Sequence, residues 1–159
     1  MCIRDRSQGE HLDRSHVVFA NRRTIRFTEM EYALPREAGP EVIERVLELI
    51  ERERFQVAMP IECRVVAADE ALLSPSHRRA STYVAVHQYR GMEWRPYFEA
   101  VEQIMREYGG RPHWGKRHGR TAADLEPDYP RWQEFQQVRD RLDPERTFTN
   151  PYAARVLGE

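Results

Sequence analysis

Residues 39–67 read GPEVIERVLELIERERFQVAMPIECRVVA, and two periodicities meet inside them. Gly39-Pro40 introduces a helix whose apolar positions Val42, Ile43, Val46, Leu47 and Ile50 form one stripe at helical spacing. The other face is charged, with Glu41 and Arg45, and Glu48 and Arg52, four apart and suited to pairing. From Ile61 to Ala67 the period falls to two. Ile61, Cys63 and Val65 then share one face of a strand, and Glu62, Arg64 and Val66 share the other.

Upstream, His16 to Phe19 and Arg23 to Tyr32 carry β-branched and aromatic residues with partial alternation, which predicts two short strands or one broken strand, ended by Leu34-Pro35. Downstream, residues 69–80 are polar and turn-rich, and Ser74 and Ser81 read as loop residues. Thr82 to Tyr89 resumes strand character, with Tyr83, Ala85, His87 and Tyr89 on one face. Pro96 suits a first helical position, and Phe98, Val101, Met105 and Tyr108 make a second stripe that stops at Gly109-Gly110. A loop from Arg111 to Arg120 follows. A shorter helix is expected over Trp132 to Arg141, ending at Asp143-Pro144, with a last helical turn from Pro151. The order β-α-β-β-α predicts an α+β domain: an antiparallel or mixed sheet with helices packed on one face, a ferredoxin-like core.

The 159 residues suit one domain, and 40% hydrophobic against 32% charged residues gives a core thin for a free-standing enzyme, which hints at a missing partner domain. A net charge of -1 with no long like-charge block disfavours nucleic acid as a partner. No apolar run approaches the roughly 20 residues of a membrane helix and no secretory leader opens the chain, so the expected location is cytoplasmic. Cys2 and Cys63 are the only cysteines, too few for a disulfide framework, and Cys63 is expected as a small core residue. The polar opening Met1 to Arg6 resembles an artefactual start, so residues 1–14 are read as a lead and the chain is expected to begin mid-protein.

Three groups of residues could carry chemistry. Glu62 and Arg64 stand about 7 Å apart on one strand face, near enough for both to address one polar ligand. A solvated ion pair is the commoner origin of such a spacing. His87 and Tyr89 repeat the pattern on a second strand, where an amphipathic pair at a sheet surface is the commoner origin. The segment Arg111-Pro112-His113-Trp114-Gly115-Lys116 follows a helix stop and packs an imidazole, an indole, a glycine and an ammonium together, as functional loops do. Its lysine could orient a substrate hydroxyl and stabilise charge as a proton leaves, although most lysines are ordinary surface groups. His87, His113 and His118 lack His-Glu-x-x-His or paired-cysteine spacing, so no metal site is expected. No Gly-x-Ser-x-Gly elbow supports a serine hydrolase.

The segments Glu29-Met30-Glu31-Tyr32, Pro60-Ile61-Glu62-Cys63-Arg64, Val86-His87-Gln88-Tyr89-Arg90 and Pro112-His113-Trp114-Gly115-Lys116 together resemble the aldonolactone oxidase family. That family holds gulonolactone, arabinonolactone and alditol oxidases among the vanillyl-alcohol-oxidase-type flavoproteins. Arg141-Leu142-Asp143-Pro144 and Phe148-Thr149-Asn150-Pro151-Tyr152 look like its C-terminus, and the similarity runs from about Ser15 to Gly158. The resemblance implies a C-terminal domain of residues 15–159 that closes over a flavin held mainly by an N-terminal FAD-binding domain, its partner, which has no counterpart in this sequence. It implies that Glu62 and Arg64 face substrate and flavin, that Lys116 acts on the substrate hydroxyl, that His113 approaches the flavin, and that His87 or Tyr89 lines the substrate pocket. The implied substrate is a sugar lactone or a polyol, oxidised by hydride transfer to FAD with oxygen or another electron acceptor. A lactone is favoured over an alditol, and a non-catalytic sugar-binding module or a structural subunit are the other readings.

Overall fold

The computed structural model describes residues 12–20 and 24–158. In chain order it holds α1 (Ser15–Phe19), β1 (Phe27–Pro35), α2 (Gly39–Glu53), β2 (Glu62–Val66), β3 (Ser81–Tyr89), α3 (Arg95–Glu107), β4 (Arg111–Pro112), α4 (Ala122–Leu125), α5 (Trp132–Leu142) and α6 (Pro151–Leu157). From β1 to α3 the order is the expected β-α-β-β-α, and the class is α+β. The strands lie side by side as β2-β3-β1-β4, every pairing antiparallel.

β1 and β3 form the middle of the sheet, paired along nine residues from Phe27 opposite Tyr89 to Pro35 opposite Ser81. Their even-numbered residues Met30, Tyr32, Leu34, Val84 and Val86 point to one side. There they meet Val42, Val46 and Leu49 of α2 and Phe98, Val101 and Met105 of α3. Each such side chain removed from water contributes roughly 1.5–3 kcal/mol, which holds both helices on one face of the sheet. Gly109 turns the chain out of α3 with a φ of 62°. A Cβ on Gly110 would stand 2.5 Å from the Met105 carbonyl oxygen, so the close return into β4 requires glycine.

A second, smaller cluster joins Leu125, Tyr129, Trp132 and Val156, with Trp114 packed against it. Thr121 and Asp124 cap α4 reciprocally, and the Asn150 side chain accepts from the Ala153 N–H at 2.9 Å to start α6. The Arg111 guanidinium lies over the Tyr129 ring at 5.4 Å and joins this cluster to the sheet.

Several expectations are corrected. His16 to Phe19 is helical, with the Val17 and Val18 N–H groups bonded to the Arg14 carbonyl, because β-branched residues without a neighbouring strand have no ladder to join. The strand expected from Arg23 starts at Phe27; Arg23 lies outside the described residues. The α2 stripe steps Val42, Val46, Leu49, leaving Leu47 half exposed. Arg45 reaches across to Glu107 of α3 at 2.5 Å instead of pairing with Glu41, and Arg52 pairs with Glu53. Ser81 is a buried first residue of β3, not a loop residue. The 111–120 loop begins with a short strand, β4. Cys63 is exposed, not core: β2 is the sheet's edge strand, beyond the two helices that cover β1 and β3.

Candidate active site

The face of the sheet turned away from α2 and α3 is built from the odd-numbered residues of β1 and β3. In register, Glu29 stands opposite His87, and Glu31 opposite Ala85, which in turn stands opposite Glu62. Arg64 stands opposite Tyr83 one pair along and lies over its ring at 5.6 Å. A strand face opposite a packed core is ordinarily solvated, yet Glu31, Ala85 and His87 are all buried here.

Glu31 and His87 meet a set of charged partners there. The Glu31 side chain has no exposed area; one carboxylate oxygen accepts from the Arg64 guanidinium and the other from Lys116 Nζ. Glu29, two residues earlier, accepts from Lys116 Nζ and faces His87 Nε2 at 3.3 Å. Burial pushes the Glu29 carboxyl upward, but the hydrogen bonds from His87 and Lys116 outweigh it and hold the group at about 2. Lys116 is the chain's single lysine among 25 basic residues. Its side chain is 17% exposed.

The loop that carries Lys116 is pinned to the edge of β1 and to α3. Along the edge of β1 away from β3, its His113 N–H donates to the Glu31 carbonyl and its Arg117 N–H to the Glu29 carbonyl, each at 2.9 Å, so it continues the ladder of β4. The Gly115 N–H donates to His113 Nδ1 at 3.1 Å and the Lys116 N–H to the His113 carbonyl at 3.0 Å, which closes a tight turn. From the helix side, Glu102 of α3 accepts the Gly119 N–H at 2.8 Å and the Tyr32 hydroxyl.

Beside Lys116 lies an open recess of about 560 Å³ lined by Phe27, Glu29, Trp114, Lys116, His118 and Tyr152 among others. Ligand sites commonly fall at about 300–1,000 Å³, so this space is within the size range of such sites. His118 Nε2 and the Tyr152 hydroxyl stand 2.9 Å apart. Burial, with Arg155 and Arg120 nearby, pushes the His118 imidazole down to about 4, so it is a neutral hydrogen-bonding group at pH 7.

The structure therefore brings Lys116, Arg64 and His87 together through Glu29 and Glu31. Glu62 is exposed on the same face, within 4.8 Å of ligand atoms on Glu29 and His87. Two carboxylates and an imidazole could hold a cation, but the ammonium of Lys116 already sits on Glu29. Tyr89 lines a neighbouring recess with Arg90, Trp94 and Arg117, and His113 stands in the turn with its Nδ1 accepting the Gly115 N–H. Sequence reasoning assigned no role to Glu29, Glu31, Glu102 or Tyr152. For Glu29 and Glu31 the one signal available was acids at alternate positions of a strand whose other face carries Met30, Tyr32 and Leu34.

Among the described residues, no helix is long and apolar enough to cross a membrane. A family model described as D-arabinono-1,4-lactone oxidase matches residues 2–156. An L-gulono-1,4-lactone dehydrogenase of Mycobacterium tuberculosis is 56% identical over 146 residues, covering 92% of this chain and 34% of its own length. The L-gulonolactone oxidase of Bos taurus is 35% identical over 153 residues, 93% of this chain and 35% of its own. An alditol oxidase of a Streptomyces species is 35% identical over 139 residues, 81% of this chain and 31% of its own. The chain thus spans about a third of the length of these relatives.

Proposed function

Because the chain belongs to the D-arabinono-1,4-lactone oxidase family, we propose that residues 15–159 form the substrate-binding and flavin-covering domain of an FAD-linked oxidoreductase acting on a hydroxyl of an aldono-1,4-lactone. The observation that carries this reading is the meeting of Lys116, Arg64 and His87, from three different elements, on one buried polar patch beside an open recess. The 56% identity to a protein named for a lactone, against 35% to one named for an alditol, favours the lactone.

The residues present fit a flavin ring. The recess would offer a flavin ring aromatic walls in Phe27, Trp114 and Tyr152 for a flat face, and Arg117 as a donor for a ring carbonyl. His113 and Arg64 would approach the ring. When bound, the flavin supplies the acceptor for the hydride that leaves the substrate carbon.

This chain's own residues would bind and aim the sugar. Glu62 and Arg64 would hold its oxygens by charge-assisted hydrogen bonds, and Lys116 would donate to the hydroxyl being oxidised, fixing one carbon in place. His87, buried and in contact with Glu29, would wall the floor of the site.

The test joins residues 15–159 to the remaining portion of the Mycobacterium tuberculosis relative and follows anaerobic reduction of bound flavin by L-gulono-1,4-lactone. Lys116→Ala should slow reduction by about 100-fold or more with flavin content intact. An unchanged rate would remove Lys116 from the mechanism, and reduction by xylitol but not by the lactone would replace the lactone with an alditol.

A further inference from the structure

We propose that Glu31, assisted by Glu29, is a positioning residue: a buried carboxylate clamp that fixes Lys116 as a donor with one N–H left to aim. The inference rests on the substrate role proposed above for Lys116 and adds what sets that lysine's direction. An ammonium carries three N–H donors and no lone pair. Glu31 takes one, Glu29 takes a second, and the third is directed by the geometry of the other two.

The placement of the clamp supports a built device over a chance surface pair. Glu31 lies on a central strand with no side-chain exposure, where an unpartnered charge would be costly. It is compensated by two cations from opposite sides of the sheet, Arg64 on edge strand β2 and Lys116 on the loop after β4. One carboxylate thus fixes the spacing between the two cationic groups that would address the substrate. Its oxygens are divided between them, so Arg64 and Lys116 cannot drift independently. Glu29 closes the arrangement, sharing Lys116 with Glu31 while contacting His87. A lysine so held is suited to orienting a substrate hydroxyl through its remaining N–H.

Because Lys116 is the only side-chain amine in the chain, its fixation can be read without any cofactor or activity. The 159-residue chain is acetylated with an N-hydroxysuccinimide ester at constant pH, and modification of the peptide bearing Lys116 is followed by mass spectrometry. Slow labelling is expected in the parent and at least ten-fold faster labelling in Glu31→Gln. Tyr32→Phe disturbs the same strand from its other face and should label at the parent rate. Equal rates in parent and Glu31→Gln overturn the clamp, and so does an equal rise in Tyr32→Phe, which would reduce Glu31 to a merely structural role. If Glu31→Gln does not fold, Glu29→Gln decides, with a rise of several-fold expected and no rise overturning the proposal. L-Gulono-1,4-lactone should slow labelling of the parent. If the lactone has no effect while the Glu31→Gln acceleration stands, the substrate reading fails and the clamp survives.

Discussion

Glu29 and His118 both make the fold less stable as the pH falls, in windows that barely overlap. The Glu29 carboxyl lies at about 2 in the folded chain against an ordinary 4.5, so the unfolded chain binds its proton first as the pH falls. Its stabilisation is complete above about pH 4.5 and is lost as the pH falls toward 2, an effect on the order of 2–3 kcal/mol. His118 lies at about 4 against an ordinary 6.5, so folding excludes a proton that the unfolded chain accepts. Its effect is a loss of stability between pH 6.5 and 4. Urea unfolding across pH 7 to 2.5 should therefore show two falling segments. Glu29→Gln should flatten the lower one and His118→Asn the upper one; if neither slope changes, the contacts described for these groups do not govern their titration.

At the scale of elements, the central strands and the two long helices depend on burial, while β2 depends on its pairing with β3. Met30→Ala empties a position buried under both helices and should cost about 2–5 kcal/mol in denaturant unfolding, whereas Val65→Thr, on a residue 60% exposed, should stay within about 0.5 kcal/mol. Gly110→Ala should destabilise the turn into β4, since its new methyl would collide with the Met105 carbonyl. The same contrast explains what was legible in the sequence. The stripes of α2 and α3 and the alternation of β3 announce elements long enough to show a period. A two-residue strand such as β4 has no period to show, and the valines of α1 carry strand propensity with no partner to use it. Cys63 was misread because alternation fixes which face a residue occupies and says nothing of whether that face is covered. Within the site, Lys116, Glu62 and Arg64 could be named from motifs. Glu31 could not, because an acid in an alternating strand reads as a solvated group until its cations arrive, 33 and 85 residues further along.

Over the whole molecule, two apolar clusters of unequal size are joined through Arg111, Trp114 and their contacts with Tyr129. The larger unites β1, β3, α2 and α3, and the smaller draws on the last third of the chain. Amide hydrogen exchange should follow that division, with protection deepest at Tyr32 and Val84 to Val86 and at least ten-fold weaker around Leu125 and Val156. Uniform protection across both clusters would show one cooperative unit instead. The open face of the sheet belongs to neither cluster; it is held by charge, which leaves it polar and ready to meet a ligand.

The pinning of residues 113–119 to the edge of β1 and to α3 also bears on how such a site could be changed. A segment whose backbone bonds to Glu29 and Glu31 on one side and to Glu102 on the other has no slack for insertion or deletion. New substrates would have to be accommodated by exchanging exposed side chains on the sheet's edge strand, around Glu62 and Val65, where a larger or smaller residue displaces only water, while Arg64 stays to compensate Glu31. In breeding altered specificities, libraries centred on that edge should yield folded variants, and libraries that vary loop length should yield few.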